Sequence, residues 1–133
     1  CFNMDRFQYG ETVRAGIWLH GSRFRSLDLS SFNAFDDACL EKVLNCCPEL
    51  EDLGLAETQV SGAGLRLLTE NRCHSLRSLS IRGLAVGKPD LHMFLKSPTL
   101  ARLLKADLSL EHMDASSLTL LTENGRSLEW VAL

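Results

Sequence analysis

The sequence predicts an α/β fold, a right-handed solenoid with a parallel sheet on the concave face and short helices outside. The main observation is the hexad Leu-x-x-Leu-x-Leu, which begins at Leu50 and returns 26 residues later at Leu76. Weaker copies begin at Phe24, Leu103 and Leu128. Self-similarity at a fixed period of about 20–50 residues is typical of stacked repeat units.

Each unit is predicted to contain one strand and one short helix. In the second unit, Leu53 and Leu55 alternate with Asp52, Gly54 and Ala56, which is the period of a strand with one buried face. The apolar residues 65, 67 and 68 then give a short helical pattern that ends near residues 69–71. The order is therefore strand, loop, helix and return turn.

The other units keep this order and carry signals for helix starts. Asp36 and Asp37 are favourable at a helix N-terminus, Pro89 is expected just inside a helix, and Asp114 is a candidate N-cap. Residues 48 and 98 are prolines, and we expect them in return turns, where no backbone donor is needed.

The units are expected to form a single domain over residues 1–133. Residues 24–133 hold about four and a half repeats, and residues 1–23 a partial N-terminal repeat. Within that partial repeat, Tyr9, Val13, Ile17 and Leu19 align with the back half of the second unit. The last hexad leaves an apolar edge, so we expect a fragment of a longer protein, with further repeats or another subunit on this edge.

Composition sets limits on function. A formal charge of −3 gives no global attraction to nucleic acid, and the absence of an 18-residue apolar run predicts no membrane partner. The five cysteines are an odd number, unlike the even framework of small secreted domains. Buried free cysteines suit a reducing compartment, so we expect a cytoplasmic or nuclear protein.

The repeat resembles a known family. The hexad, the segment Cys-Pro-Glu-Leu-Glu-Asp-Leu-Gly-Leu at 47–55 and the following Cys73 resemble the cysteine-containing subtype of leucine-rich repeats. That subtype is common in F-box proteins, the substrate receptors of cullin ubiquitin ligases. The family usually places Asn, Cys or Thr at the ninth position of each repeat. Here only Thr58 fits, and positions 32, 84 and 111 carry Phe, Leu and Glu.

The outward strand positions are the predicted binding surface, because solenoids bind partners on extended concave surfaces. Trp130 is the one large aromatic residue in this set, and tryptophan is enriched in binding hot spots. Burial beneath a following repeat is the equally weighted alternative for Trp130. The predicted partner-binding residues are Asp28, Ser30, Asp52, Ser78, Ser80, Arg82, Lys105, Asp107 and Trp130.

Stacking also predicts a charge-matched row just before the strands. Arg25, Glu51 and Arg77 share one position, and opposite charges on adjacent strands favour this register by about 0.2–1 kcal/mol per pair.

Other chemistry-bearing patterns favour ordinary structural roles. Cys46-Cys47 with Cys73-His74 lacks the ligand spacing of zinc knuckles, and buried cysteines explain it better. Residues 62–64, Gly-Ala-Gly, lack the remaining signature of a phosphate loop and are expected to be a turn before a helix. The arginines at 66, 72, 77 and 82 are interrupted by acidic residues, without aromatic residues for base stacking.

These observations predict a protein-protein interaction module and no enzyme. The four histidines are scattered through different units without a nucleophile in a motif, so we assign no catalytic, cofactor-binding or metal-binding residue and expect no cofactor. The resemblance implies the substrate-recognition part of a cullin-type ubiquitin ligase receptor. A structural scaffold subunit of a larger assembly is the alternative. An enzyme is a third possibility, which no residue pattern supports.

Overall fold

A computed structural model describes residues 24–70, 74–111 and 113–133, together with the backbone of residues 2–3. Six short strands form one parallel sheet, and their spatial order β1-β2-β3-β4-β5-β6 is the order of the sequence. The strands are β1 Phe2–Asn3, β2 Ser26–Asp28, β3 Asp52–Gly54, β4 Ser78–Ser80, β5 Lys105–Asp107 and β6 Trp130–Ala132. The predicted parallel sheet is therefore confirmed.

The register of the sheet follows the sequence period. Leu27 lies opposite Leu53 and Leu53 opposite Leu79, so residues 26 apart become neighbours across the sheet. The column continues through Ala106 to Val131. Because alternate residues of a strand point to opposite faces, one leucine column enters the core while the residues on either side of it face outward.

Helices connect the successive strands from β2 to β6. The helices are α1 Asp37–Cys46, α2 Gly62–Thr69, α3 Lys88–Leu95, α4 Pro98–Arg102 and α5 Ala115–Asn124. Helix α1 contacts α2, α2 contacts α3, and α3 contacts α5. The side chains of Asp36, Ser61 and Asp114 cap α1, α2 and α5 by accepting a backbone N–H in the first turn. The helix starts predicted at Asp36–Asp37, Pro89 and Asp114 are confirmed.

The core lies between the sheet and the helices. Leu53, Leu55, Leu65 and Leu68 of the second unit are completely buried. Their equivalents in the neighbouring units join one continuous apolar cluster. The leucine hexad therefore supplies the core in the way that the sequence predicts.

A left-handed turn follows three of the strands at the same repeat position. The backbone φ angle is +64° at Ser31, +58° at Glu57 and +72° at Gly83. The N–H of each of these residues donates to a carbonyl of the next unit: Ala56, Arg82 and Ser109 accept at 2.8, 2.9 and 3.0 Å. The turn therefore joins adjacent units, and only its third copy uses glycine, the residue that tolerates this conformation best.

Two details differ from the sequence prediction. Pro98 does not lie in a turn but begins α4, where its fixed φ and missing N–H suit the first helical position. Phe2–Asn3 forms a strand paired with β2, at a place where the sequence predicted only the back half of a repeat. The alignment of Tyr9, Val13, Ile17 and Leu19 falls outside the described residues.

The helices of the described segments are all too short or too polar to cross a membrane.

Candidate functional site

A groove of about 360 Å³ runs across the outward face of the sheet. We call it the strand groove. Its lining comes from β2 to β6 and the turn after β2, and it consists of Ser26, Leu27, Asp28, Ser30, Asp52, Leu53, Gly54, Ser78, Leu79, Ser80, Lys105, Ala106, Asp107 and Trp130. The short strands and their strict register bring side chains that are 26 residues apart in sequence into one surface.

Eight of the nine predicted binding residues line the strand groove; Arg82 does not. Arg82 lies two residues beyond Ser80, the last residue of β4, in the exposed loop where its carbonyl accepts the N–H of Glu57. Arg82 therefore does not line the strand groove, and its part in partner binding stays a prediction. Its position in the sequence continues the alternation of β4, but the strand ends before reaching it.

Asp28 forms a compact turn at the end of β2. Its Oδ1 accepts the backbone N–H of Ser30 at 3.0 Å. The side chain leans over Gly54 on the neighbouring strand, where an added Cβ would lie 2.6 Å from Asp28 Oδ1 and 3.1 Å from Ser30 Oγ. Gly54 thus makes room for the Asp28 carboxylate, a role that its place between Leu53 and Leu55 did not reveal.

Asp107 repeats this arrangement at the end of β5. Its Oδ1 accepts the backbone N–H of Ser109 at 3.2 Å and the Ser109 hydroxyl at 2.8 Å. Asp28 and Asp107 therefore stabilise the turns after their strands, and they do so while lining the groove. Side chains of aspartate that accept a backbone N–H two residues later are common in such turns.

Asp52, Ser78, Lys105 and Trp130 form one row across β3 to β6, since each is the register partner of the next. Asp52 and Lys105 are exposed, and Trp130 is 53% exposed. The hydroxyl of Ser26 contacts Asp52 Oδ2 at 3.4 Å. This row gives the groove an acidic part on β3 and a basic and aromatic part on β5 and β6.

The predicted charge row before the strands is present in part. Arg25 Nη1 donates to Glu51 Oε1 at 3.3 Å, and the second guanidinium nitrogen of Arg25 lies 3.7 Å from Glu49. Arg77 instead donates to the carbonyls of His74 and Leu76. Exposed pairs of this kind contribute about 1 kcal/mol or less, so this row supports the register and is not a binding site.

Thr58, at the ninth position of the second unit, bonds the backbone of the loop after β3. Its hydroxyl donates to the carbonyl of Leu55 at 2.9 Å and accepts the N–H of Val60 at 3.4 Å. In the next unit Leu84 takes this position and lines a second groove of about 390 Å³ beside the loop that follows β4. The substitution of threonine by leucine was visible in sequence, but the groove was not predicted.

A histidine, a serine and an aspartate meet at the start of α5. His92 Nε2 lies 3.1 Å from Ser117 Oγ, and Ser117 Oγ donates to Asp114 Oδ1 at 3.1 Å. Lys88 forms an ion pair with the other oxygen of Asp114, and this contact, together with the Ser117 N–H, lowers the pKa of Asp114. Ser117 is completely buried. The cluster therefore caps the helix, and its hydroxyl is not placed to attack a substrate from solvent.

The described cysteines have the character of core residues. Burial, with a smaller contribution from neighbouring Cys46, raises the pKa of the Cys47 thiol to about 11. A thiol with a raised pKa is a poor nucleophile and a poor metal ligand. Within the described segments, no cluster of three or more metal-ligating side chains occurs. Cys73, one of the four residues of the zinc hypothesis, lies outside the described residues.

The fold and the groove define the class of this protein, an α/β protein with a sequential parallel sheet and a polar groove across its strands. Among solved structures, the fold is similar to that of "Leiomodin-1 Actin-Binding Site 2 (ABS2)", with a TM-score of 0.66. The match covers 90% of this chain and 73% of that one at 16% sequence identity. At this identity the likeness concerns the fold alone.

Among curated sequences, the chain is similar to the Caenorhabditis elegans protein "Putative RNA-binding protein EEED8.10". The two are 32% identical over 99 residues, which are 72% of this chain. The chain spans only 13% of the length of that nematode protein. No protein-family model matches the chain.

Proposed function

We propose that this chain is a polypeptide-binding module and that the strand groove is its binding surface. The observation that carries the proposal is the row of Asp52, Ser78, Lys105 and Trp130, which is held in register across four strands and in which Trp130 is 53% exposed. Tryptophan is enriched among residues that dominate binding energy, and polar neighbours around it supply specificity.

The proposal includes the finer description of the fold as a right-handed leucine-rich repeat solenoid with the sheet on its concave face. Three observations support it. The strands follow one another in sequence order, equivalent leucines recur every 26 residues in register, and the left-handed turn recurs at the same interval. Nearest-neighbour stacking of this kind is the organisation of solenoids.

RNA is the second candidate partner, because the name of the nematode relative describes RNA binding. The charges of the strand groove favour polypeptide. Its lining contains three carboxylates, Asp28, Asp52 and Asp107, and the ammonium of Lys105. Affinity for nucleic acid rests largely on protein cations that neutralise the phosphates. The carboxylates of this groove repel phosphates. We therefore place polypeptide first and make RNA an outcome of the test.

A substrate-receptor role in a cullin-type ubiquitin ligase is the most specific version of the proposal. It rests on the resemblance of residues 47–55, Thr58 and the hexads to the repeats of F-box proteins. A scaffold subunit is the alternative, and it predicts permanent contacts through the faces at the two ends of the sheet rather than through the groove. We propose no catalytic activity.

A cytoplasmic or nuclear location belongs to the same proposal. The described cysteines 39, 46 and 47 are free thiols, and free thiols persist where the compartment is reducing. Location of the tagged full-length protein by microscopy, together with thiol labelling of cell extracts, tests this part. Secretion of the protein with all cysteines oxidised would contradict it.

The test is affinity capture with matched variants. Lys105→Glu reverses a charge inside the strand groove, and Arg82→Glu reverses one outside it; both residues are exposed. We expect Lys105→Glu to lose polypeptide partners that wild type and Arg82→Glu both retain. Ribonuclease treatment of parallel samples separates RNA from protein. Partners that survive Lys105→Glu and are lost with ribonuclease would overturn the assignment of a polypeptide to the groove.

A further inference from the structure

The two ends of the strand groove differ in chemistry, one acidic and one aromatic, and this difference indicates which polypeptide sequences the groove prefers. The inference rests on the proposed function. The row across the groove runs from Asp52 on β3 through Ser78 on β4 to Lys105 on β5 and Trp130 on β6. Its acidic member and its aromatic member are therefore separated by two strands whose outward residues are hydrophilic.

Asp52 is the carboxylate of the groove with most capacity for a ligand. Asp28 and Asp107 each accept the N–H of the serine two residues later, which commits an oxygen to the turn. Asp52 is exposed, and the Ser26 hydroxyl reaches its Oδ2 at 3.4 Å, a long hydrogen bond. Asp28 nevertheless adds a second negative charge on the adjoining strand, so this end of the groove attracts a cation.

Trp130 supplies the opposite end. More than half of its surface is exposed, and Lys105 is its register partner. The ammonium of Lys105 disfavours a second cation close to the indole, and Asp107 on the same strand commits its Oδ1 to Ser109 in the turn after β5. An apolar side chain is therefore the complementary group for the exposed indole. A cationic side chain is complementary to Asp52, whose charge is opposite.

The distance between the two ends sets the spacing of the partner's residues. Asp52 and Trp130 are three strands apart, and neighbouring strands lie about 4.8 Å apart, which gives about 14 Å. An extended chain advances about 3.3–3.6 Å per residue, so about four residues span that distance.

We propose that the strand groove binds an extended polypeptide segment with a lysine or arginine four residues from an apolar side chain. The cation pairs with Asp52, assisted by Asp28, and the apolar side chain packs on Trp130. The partner residues between them cross Ser78 and Lys105, where polar and acidic groups are favoured.

The experiment is a titration of the isotopically labelled protein, followed by NMR amide shifts at low salt. The probe is the peptide Gly-Arg-Ser-Gly-Ser-Leu-Gly, in which Arg and Leu are four residues apart. One control peptide replaces Arg by Gln, and another omits the central Gly-Ser pair. We expect shifts at the four residues of the row with the probe, and binding weaker by about threefold or more with either control peptide.

Protein variants locate the two contacts. Asp52→Asn should weaken binding of the probe by about three- to fivefold, as for an exposed ion pair, and remove the preference for Arg over Gln. Trp130→Ala should weaken it by about tenfold or more, as for a hot-spot residue. Glu123→Gln removes an exposed carboxylate on α5, remote from the lining of the groove, and should leave binding unchanged.

Asp52 and Glu123 are both exposed, so loss of folding does not obscure these variants, and the spectrum of each variant verifies its fold. Equal affinity for all three peptides, no binding of the probe, or unchanged affinity in Asp52→Asn would overturn the inference. The proposed function fails separately. If Lys105→Glu still loses polypeptide partners while the peptides are not distinguished, the groove remains a binding surface and only its preferred sequence is wrong.

Discussion

The second and fourth units place leucines at equivalent positions but bury them differently. Leu65 and Leu68 in α2 are completely buried, whereas Leu118 in α5 is 39% exposed and Leu121 is 6% exposed. Helix α2 contacts long helices on both sides, α1 and α3, while α3 is the long helix that α5 contacts in the described part of the chain. The same residue type is therefore core or surface according to its neighbours, because adjacent units share one core.

The largest expected effect is the loss of stability when a leucine of the second unit is shortened, compared with its equivalent in the fourth unit. Leu65→Ala removes a side chain that packs between units, and it should lower the free energy of unfolding by about 2–5 kcal/mol because a cavity remains. Leu118→Ala removes the same atoms from a partly exposed site and should cost about 1 kcal/mol or less. Urea unfolding of both variants measures this. Equal losses would contradict the account of a shared core.

A second prediction concerns close approach between units. Gly64 is buried, and an added Cβ would overlap Asp37 Oδ1 of α1 and lie 2.6 Å from Val60 Cγ1. Gly64→Ala should therefore cost about 1–3 kcal/mol. At exposed Gly87 the nearest atom to an added Cβ is Pro89 Cδ at 3.8 Å.

Gly87→Ala serves as the matched control, with an expected cost within about 1 kcal/mol, because the site has room for a methyl group and only the N-cap preference for glycine over alanine is lost. Thermal and urea unfolding of the pair give the comparison. If both substitutions were equally tolerated, the tight contact between α1 and α2 would be refuted.

The recurring left-handed turn gives a smaller effect with opposite signs. Gly83→Ala puts a Cβ at a φ of +72° and should lower stability by about 1 kcal/mol. Glu57→Gly removes one at +58°. It should raise stability, though by less, because glycine also gains freedom in the unfolded chain. Losses of stability in both variants would show that the Glu57 side chain, rather than its backbone, matters at this turn.

The smallest expected effect is a loss of stability at low pH, to which the helix caps Asp114 and Asp36 contribute differently. The Lys88 side chain lowers the pKa of Asp114, and the backbone N–H of Cys39 lowers that of Asp36. A lowered folded-state pKa gives stability that is present above the unfolded value of about 3.9 and is lost as pH falls toward the folded-state pKa.

Stability should therefore decline below about pH 5, and Asp114→Asn should flatten this decline more than Asp36→Asn does. Lys88→Met should flatten it too, because it removes the largest cause. Unfolding curves recorded between pH 6 and pH 2, a range of about four units, test this. An acid decline of unchanged steepness in Asp114→Asn would rule out the Lys88 contact as a source of stability.

The regular part of the molecule could be predicted from the sequence, because residues at equivalent positions of stacked units recur at a fixed interval. The leucine columns, the parallel register and the capping residues Asp36 and Asp114 all follow from local pattern, and the structure contains each of them. Helix α4 was not predicted because its five residues, which begin at Pro98, are too few to show a helical period. The partly buried contact between His92 and Ser117 was not predicted because it joins side chains of two adjacent helices, whose register the strand pattern does not fix.

The sequence predicted which strand residues of the candidate site are neighbours, but not where the site ends. Alternation identified Asp52, Ser78 and Lys105 correctly as neighbours, but it did not show that Arg82 lies outside the groove, because strand ends depend on turn geometry. The space that Gly54 leaves for Asp28 arises between adjacent strands. No pattern within one unit could indicate it.

Site-specific crosslinking tests the central claim most directly. A photoreactive benzoylphenylalanine is introduced at position 78 in the middle of the strand groove, or at position 123 on the exposed side of α5. After irradiation in cells, we expect position 78 to give protein adducts that resist ribonuclease. Trp130→Ala should diminish these adducts, and position 123 should give none. Identical adducts from both positions, or adducts at 78 that contain only RNA, would contradict the central claim.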